Sequence, residues 1–519
     1  MTTEPHHNYF TGENLSQDPI HGYIPFSSTT LSSATNENEV SERDIVDSPW
    51  VQRLRQIHQL QTAWLVYPTA EHTRFQHSLG AMHLASKTLA KLYPSLVDVC
   101  TELGETLPSR AYLESLVRMA ALLHDVGHGP FGHFFDARFL SQYHLNHEKL
   151  GAEIIRQKLA PQLRQLRRNP GGMLAENETL DPEQIAFLIV RPTISQVGNQ
   201  SLGDNKVGNR PPGGCVGESQ QESAADVAAR RSATYRDYEN CTWLRLLRSL
   251  FSGLYTVDNM DFILRDAYMT GFSARAFDID RLLHYSFFTR QGLTVHQKGF
   301  ATLTRFLSVR AELFRSVYFH RTVRAMDIAL SALFAESRNL FFPKNPLEHL
   351  DEYLHFTEWS LLIDVARWNE SDDPKKRELY PAWHDFLRRR VPLHLAAETT
   401  AIFRAGDREQ TSIFADEELL RRSIISQLPE SAKSIPFEVD IARHLHRSDS
   451  HRPTASQNFL YDPATHRIRR LEEEELYRHI PQSYRICRIY TQYPEQVAPL
   501  AKALDVLTHA GSKDDETNM

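Results

Sequence analysis

The segment from Ala111 to Val126 constrains this chain more than any other. It reads as a helix that is apolar almost all round, with Leu116, Val117, Met119, Leu122 and Leu123 spread over every side of a 3.6-residue repeat. Such a helix has no face to give to water and must lie inside a domain. It stops abruptly, because Gly127, Gly129 and Pro130 follow at once. Yet its end carries His124 and Asp125, two polar residues whose burial is costly unless something satisfies them. A metal ion would do so. Imidazole plus carboxylate suits Fe, Mn, Zn, Co or Ni and leaves positions open for water or phosphate oxygens. Two neighbours on one helix cannot enclose an ion, so other segments must supply ligands. His77 and Asp258, each set in a helical, core-like pattern, are the candidates.

At 519 residues the chain exceeds one compact core, so two or three structural units are expected. Hydrophobic content of 41% with 24% charged residues fits a globular protein, and no apolar stretch approaches the roughly 20 residues of a membrane span. The N-terminus lacks the basic-then-apolar order of a secretory signal. Cys100, Cys215, Cys241 and Cys487 form neither a CxxC pair nor a disulfide framework, and a cytoplasmic location is expected. The net charge of −7 argues against a constitutively basic nucleic-acid surface.

Periodicity predicts a mainly α fold. A polar, flexible tail is expected over 1–16, then a compact start at Asp18. Val51, Leu54, Ile57 and Leu60 fall at helical spacing, and further helices are expected over 75–93, 145–168, 236–270 and 300–335. Residues 195–226, rich in Gly, Ser, Asn and Gln, read as a disordered insert. Short β-prone runs between 435 and 490 predict a small sheet. The expected units are a helical domain over 17–345, a small α+β C-terminal subdomain over 346–510, and a tail over 511–519.

The order His77, His124-Asp125, Asp258 resembles the HD phosphohydrolase superfamily. The wider pattern is closest to its deoxynucleoside triphosphate triphosphohydrolases. It includes DPIHG at 18–22, SPWVQRLRQIHQL at 48–60, HTRFQHSLG at 72–80, HDVGHGPFGHFFD at 124–136, HE at 147–148, VDNMDFILRDA at 257–267 and FRSVYFHRTV at 314–323. The resemblance implies an HD-domain helical bundle whose metal ligands are His77, His124, Asp125 and Asp258. His128, His133, Asp136 and His147 match the polar group beside the metal that lines the phosphates and moves a proton, with His133 and Asp136 the expected pair. Triphosphate hydrolysis needs charge neutralisation and a positioned nucleophile, and an imidazole titrating near neutrality is suited to carry the proton.

The same resemblance implies substrate contacts at Gln59, Leu60, Arg74, Asp266, Arg310 and Tyr318. It also implies a nucleotide-activator site at Asp47, Gln52 and Arg55, although QRLR reads slightly better as an amphipathic helix carrying surface arginines. Several positions depart from the pattern: Asn259 replaces a lysine, Phe262 a tyrosine and Phe314 a histidine, and Gln61, Thr62 and Ala63 stand where glycines are expected. The expected activity is hydrolysis of a deoxynucleoside triphosphate, dGTP first, to deoxynucleoside and triphosphate. One transition metal would sit in the HD site, Mg or Mn would accompany the phosphates, and the protein would be a homodimer or homotetramer. The alternatives are a phosphodiesterase or nucleotidase on the same metal centre, or a nucleotide-sensing or nucleic-acid-binding module.

Overall fold

The computed structural model describes residues 13–28, 39–190, 234–404, 412–445, 459–481 and 483–509, with Asp407 and Glu409. The expected insert over 195–226, the tail over 511–519 and the first twelve residues lie outside them. The fold is mainly α with small sheets.

The described chain opens on an antiparallel hairpin, β1 (Glu13–Asp18) and β2 (Gly22–Ser27), paired from Glu13↔Ser27 to Asp18↔Gly22. Residues 13–16 therefore belong to a strand and not to the tail expected over 1–16. The segment around 51–60 is also more broken than its spacing suggests: the helix Pro49–Gln52 tightens into a 3-10 turn over Arg53–Gln56.

Two antiparallel helices form the centre of the body. α1 (Arg74–Leu103) starts where Gln76 Oε1 accepts from the Thr73 backbone N–H (2.7 Å). It runs ten residues past its expected end, through Pro94, because Leu96, Val99 and Cys100 continue the buried face. α2 (Arg110–Leu123) is the helix apolar on all sides; Ser109 Oγ caps it at Tyr112 N (3.1 Å). Its one fully buried charge, Arg118, pairs with the buried Glu42 (Nε 2.6 Å, Nη2 2.9 Å) and donates to the Pro25 carbonyl. After a turn come α3 (His133–Arg138) and α4 (His147–Ile154), which continues through a wider turn as far as Gln165. α5 (Val257–Met269), capped by Thr256 Oγ1, packs across α1. It is separated by a non-helical stretch from the helix Thr242–Arg248, so 236–270 is not one helix.

The hairpin β3 (Ser286–Thr289) and β4 (Gly292–His296) leads into α6 (Phe300–Leu313) and α7 (Arg321–Phe341). The helical core does not end at 345. Leu350, Trp368, Trp383 and Phe386 are buried in the same cluster as α1 and α2.

A second, smaller core lies in a three-stranded antiparallel sheet in which β9 (Ser483–Thr491) runs between β5 (His394–Phe403) and β6 (Glu438–Leu445). Helices α8 (Glu417–Gln427) and α9 (Val497–His509) cover it. Two β-prone runs expected in that sheet, β7 (Phe459–Asp462) and β8 (Arg467–Arg470), instead extend the β4–β3 hairpin, with β7 parallel to β4. Leu460, buried in the helical core, draws them there. No helix among the described residues is long and apolar enough to cross a membrane.

Candidate active site

α1 carries His77 inward, the end of α2 delivers His124 and Asp125, and the first turn of α5 delivers Asp258. These residues, distant in sequence, converge. His77 Nε2 lies 3.2 Å from His124 Nε2 and 3.1 Å from Asp258 Oδ1. His124 Nε2 lies 3.3 Å from Asp125 Oδ1 and 3.7 Å from Asp258 Oδ1. Each imidazole is anchored through its other nitrogen: His124 Nδ1–H donates to the Ala121 carbonyl (2.7 Å), and His77 Nδ1–H to Asp261 Oδ2 (2.8 Å).

Asp261 is a firm acceptor. Burial pushes its pKa up, yet Arg265, His21 and His77 hold it well below the usual carboxylate range. With both Nδ1 atoms committed as donors, the two Nε2 atoms face one another, an arrangement that calls for a proton or a metal cation between them. Burial disfavours a charged His77, but Asp258 and Asp261 outweigh it and raise the imidazole to about 10. The field that retains a proton so firmly also attracts a divalent ion. Ligand edges near 3 Å suit bonds of roughly 2.1 Å, so His77, His124 and Asp125 can hold a divalent metal, with Asp258 Oδ1, 3.1 Å from His77 Nε2, as the fourth candidate donor.

Beside this cluster stands a second. Asp136 Oδ2 accepts from His147 Nδ1 and lies 3.5 Å from His133 Nδ1. His128, fully buried, stacks on His147 with ring centroids 3.8 Å apart and has Asp125 Oδ1 at 3.3 Å. The expected His133–Asp136 pair is thus the looser of two: the carboxylate serves His147 first. The reason is helical geometry. His133 and Asp136 share the short helix α3, which leaves the His133 ring 70% exposed, whereas α4 brings His147 onto the carboxylate from outside.

Arg74 joins the two clusters. Its Nη1 donates to Asp125 Oδ2 (2.7 Å), while its buried Nε has no protein acceptor. Gly132, at φ +55°, lies against this guanidinium; a Cβ there would come within 2.3 Å of Arg74 Nη2. The glycine therefore serves both the turn and the close approach.

A cavity of about 90 Å³ holds His124, Asp125, Asp258 and His147 on its walls. It shares Gln59, Arg74, His133 and Phe262 with a larger one of about 250 Å³. The larger chamber is walled by Leu60, Phe262, Phe314 and Tyr318. Tyr318 donates to Asp266 Oδ2 (2.5 Å), and His72 Nε2 binds Asp266 Oδ1 (2.8 Å). Burial and the Asp266 charge push the Tyr318 phenol well above its ordinary range, so it stays a donor.

Of the remaining expected residues, Arg310 lines neither cavity; its Nη1 donates to the Leu254 carbonyl (3.3 Å). Two of the departures, Phe262 and Phe314, form the chamber wall, which makes it more apolar than the family pattern implies. Gln52 and Arg55 meet, Arg55 Nε donating to Gln52 Oε1 (2.8 Å) with its guanidinium over the Phe75 ring, whereas the exposed Asp47 pairs with Arg43 (3.3 Å).

Asp261, His72, Arg324 and Asp327 escaped the sequence reading. Asp261 carried one usable signal, standing three residues after Asp258 and four before Arg265 on an apolar helix. His72, Arg324 and Asp327 carried none, since their partners are remote in sequence.

Residues 74–189 match the family model described as HD domain. The chain is 24% identical over 375 residues to an uncharacterized protein of Bacillus subtilis, spanning 70% of this chain and 67% of that one. It is 24% identical over 381 residues to the deoxynucleoside triphosphate triphosphohydrolase of Gallus gallus, spanning 70% of this chain but only 53%, about half, of that enzyme. A crystal structure of a hypothetical protein from Aquifex aeolicus shares the fold, with a TM-score of 0.59 at 19% identity over 95% of this chain and all of that one. Residues 74–189 thus match an HD domain, within a longer resemblance of the chain to the deoxynucleoside triphosphate triphosphohydrolase of Gallus gallus.

Proposed function

We propose that the protein is a metal-dependent phosphohydrolase that cleaves deoxynucleoside triphosphates to deoxynucleoside and triphosphate. One observation carries the reading: the cation-binding cluster, the Arg74 and histidine cluster, and an aromatic chamber follow one another along two cavities that share four residues. That order matches a substrate with a polyanionic end and a flat, largely apolar end. The relative from Gallus gallus bears the name of this activity.

His77, His124, Asp125 and Asp258 would hold one transition metal, Fe, Mn, Zn, Co or Ni by donor type. Such an ion supplies charge neutralisation and acidifies water. The remaining chemistry belongs to the chain. Arg74 offers its unused Nε–H to phosphate oxygens, and the stacked rings of His128 and His147 stand beside it, His128 kept neutral by burial and the Arg74 charge. His133, which reaches both cavities, is placed to give a proton to the leaving oxygen or to take one from the attacking water. Asp136 orients it together with His147. Phe262, Phe314 and Leu60 would enclose the nucleoside, with Asp266 and Tyr318 at the sugar and Gln59 at the junction. Mg or Mn would accompany the phosphates.

The reading extends to a homo-oligomer, dimer or tetramer, with a nucleotide activator at Asp47, Gln52 and Arg55. The exposure of Asp47 and Arg55, with Gln52 half-buried between them in sequence, is what supports it. The test is incubation of the purified chain with each deoxynucleoside triphosphate and Mn, Mg or Fe, with products identified by mass. Deoxynucleoside plus intact triphosphate is expected. Release of monophosphate or pyrophosphate would move the assignment to a nucleotidase or phosphodiesterase, and no turnover on any nucleotide would end it.

A further inference from the structure

The 250 Å³ chamber has, among the lining residues that the smaller cavity does not share, a polar group beside its aromatic rings. Gln61, Arg324 and Asp327 form it. Asp327 is buried, and its Oδ1 accepts from Gln61 Nε2 (2.8 Å) and Thr62 Oγ1 (2.5 Å). Its Oδ2 accepts from Arg324 Nη1 (3.1 Å), while Arg324 Nε and Nη2 grip Asp440 on β6. Gln61 is held at φ +41°, a region that non-glycine residues rarely adopt, so its amide is presented at a conformational cost.

Three hydrogen bonds on Asp327 leave Oδ2 able to accept one more. Of five guanidinium N–H groups, Arg324 commits three, to Asp327 and Asp440. A donor pair and an acceptor therefore stand side by side in a chamber whose wall also carries the rings of Phe262, Phe314, Tyr318 and Phe319. Burial pushes the Asp327 carboxyl up, against the Arg324 charge and the Thr62 and Gln61 hydrogen bonds, which lower it.

We propose that Gln61, Arg324 and Asp327 read the edge of the nucleobase and make this site base-selective, with guanine the matching base. Guanine alone among the four offers adjacent acceptors (O6 and N7) for a guanidinium beside a ring N–H that a carboxylate can take. The inference rests on the nucleotide reading given above, and it assigns a role to residues outside the HD domain match at 74–189.

The test uses the full chain and is read first by binding, because free deoxynucleosides carry no phosphate and need no turnover. Calorimetric titration with deoxyguanosine, deoxyadenosine, thymidine and deoxycytidine should give at least about tenfold tighter binding of deoxyguanosine, the scale of a bidentate base contact. Arg324→Lys keeps the charge but loses the fork. Gln61→Asn tolerates the positive φ and withdraws the amide. Both should bring the four affinities together while the melting temperature confirms folding. Equal binding of the four bases by the unaltered chain, a preference for another base, or a guanine preference that persists in both folded variants would each overturn the proposal. Selective deoxyguanosine binding without hydrolysis of any triphosphate would uphold the base wall and sink the hydrolase reading instead.

Discussion

His77 and His124 illustrate how a ligand is made by what holds its far side. The Ala121 carbonyl and Asp261 fix the two tautomers, and only then do both Nε2 atoms face the cluster. Asp261→Asn should therefore weaken metal binding roughly 10–100-fold, as loss of such outer partners does. Metal retained during dialysis against graded chelator measures it, and unchanged retention would remove Asp261 from this role. The shared carboxylate of Asp136 yields a second expectation. His133→Ala should keep its metal and lose turnover by roughly 10²–10⁴-fold, the worth of a general acid or base. Asp136→Asn should lose less. A near-normal rate for His133→Ala beside an inactive, metal-replete His147→Ala or His128→Ala would transfer the proton to the other ring.

At the scale of elements, α2 is the informative case. Its apolar residues required burial, and it is buried. The same pattern concealed Arg118, which a sequence window treats as one polar residue among many and which the structure ties to Glu42, 76 positions away. Glu42 also accepts from the Ser27 N–H (3.1 Å), so this pair fastens the β1–β2 hairpin to the core. Arg118→Met should cost about 3–5 kcal/mol, because it leaves a buried carboxylate without a countercharge. Adding Glu42→Gln should recover much of the loss. Denaturant unfolding of the single and double variants decides; a single variant as stable as the parent would mean that Glu42 finds another partner. The strands show the opposite limit. β7 and β8 were legible as strands, but their pairing was not, since strand propensity does not name a neighbour and Leu460 had a choice of cores.

At the scale of the whole molecule, Glu358 links parts of the chain that are hundreds of residues apart. Its Oε1 holds His58 Nδ1 (2.8 Å), and its Oε2 accepts from the His58 N–H (3.3 Å) and the Phe131 N–H (3.2 Å). It thus braces both the Gln59–Leu60 wall and the turn that leads to His133. Burial favours a neutral His58, but Glu358 and then the more exposed Glu71 prevail and raise its pKa above 6.5. A raised folded pKa means that the folded state holds the proton more tightly. The stabilisation is complete below about pH 6.5 and is lost as pH rises through the raised value. The melting temperature of the parent should therefore exceed that of His58→Gln most at pH 6, with the gap narrowing by a few degrees by pH 9. A gap independent of pH would show that His58 contributes by packing on Trp64 alone.

The sequence by itself determined what short-range chemistry dictates. A helix with no polar face had to be internal, and His124 and Asp125 at its end had to find a partner for their buried polarity. His77 and Asp258 were named because each interrupts an apolar helical pattern, and the structure brings them within 3.1 Å of each other. The tertiary structure alone decided everything that depends on which remote groups meet. It gave Asp136 to His147 ahead of His133, placed Asp261 behind His77, and brought Gln61, Arg324 and Asp327 together on the wall of a chamber. The division has one physical origin. Periodicity reports how a residue relates to its own helix or strand, whereas a hydrogen bond between positions 61 and 327 depends on the packing of the whole core and leaves no trace in either local sequence.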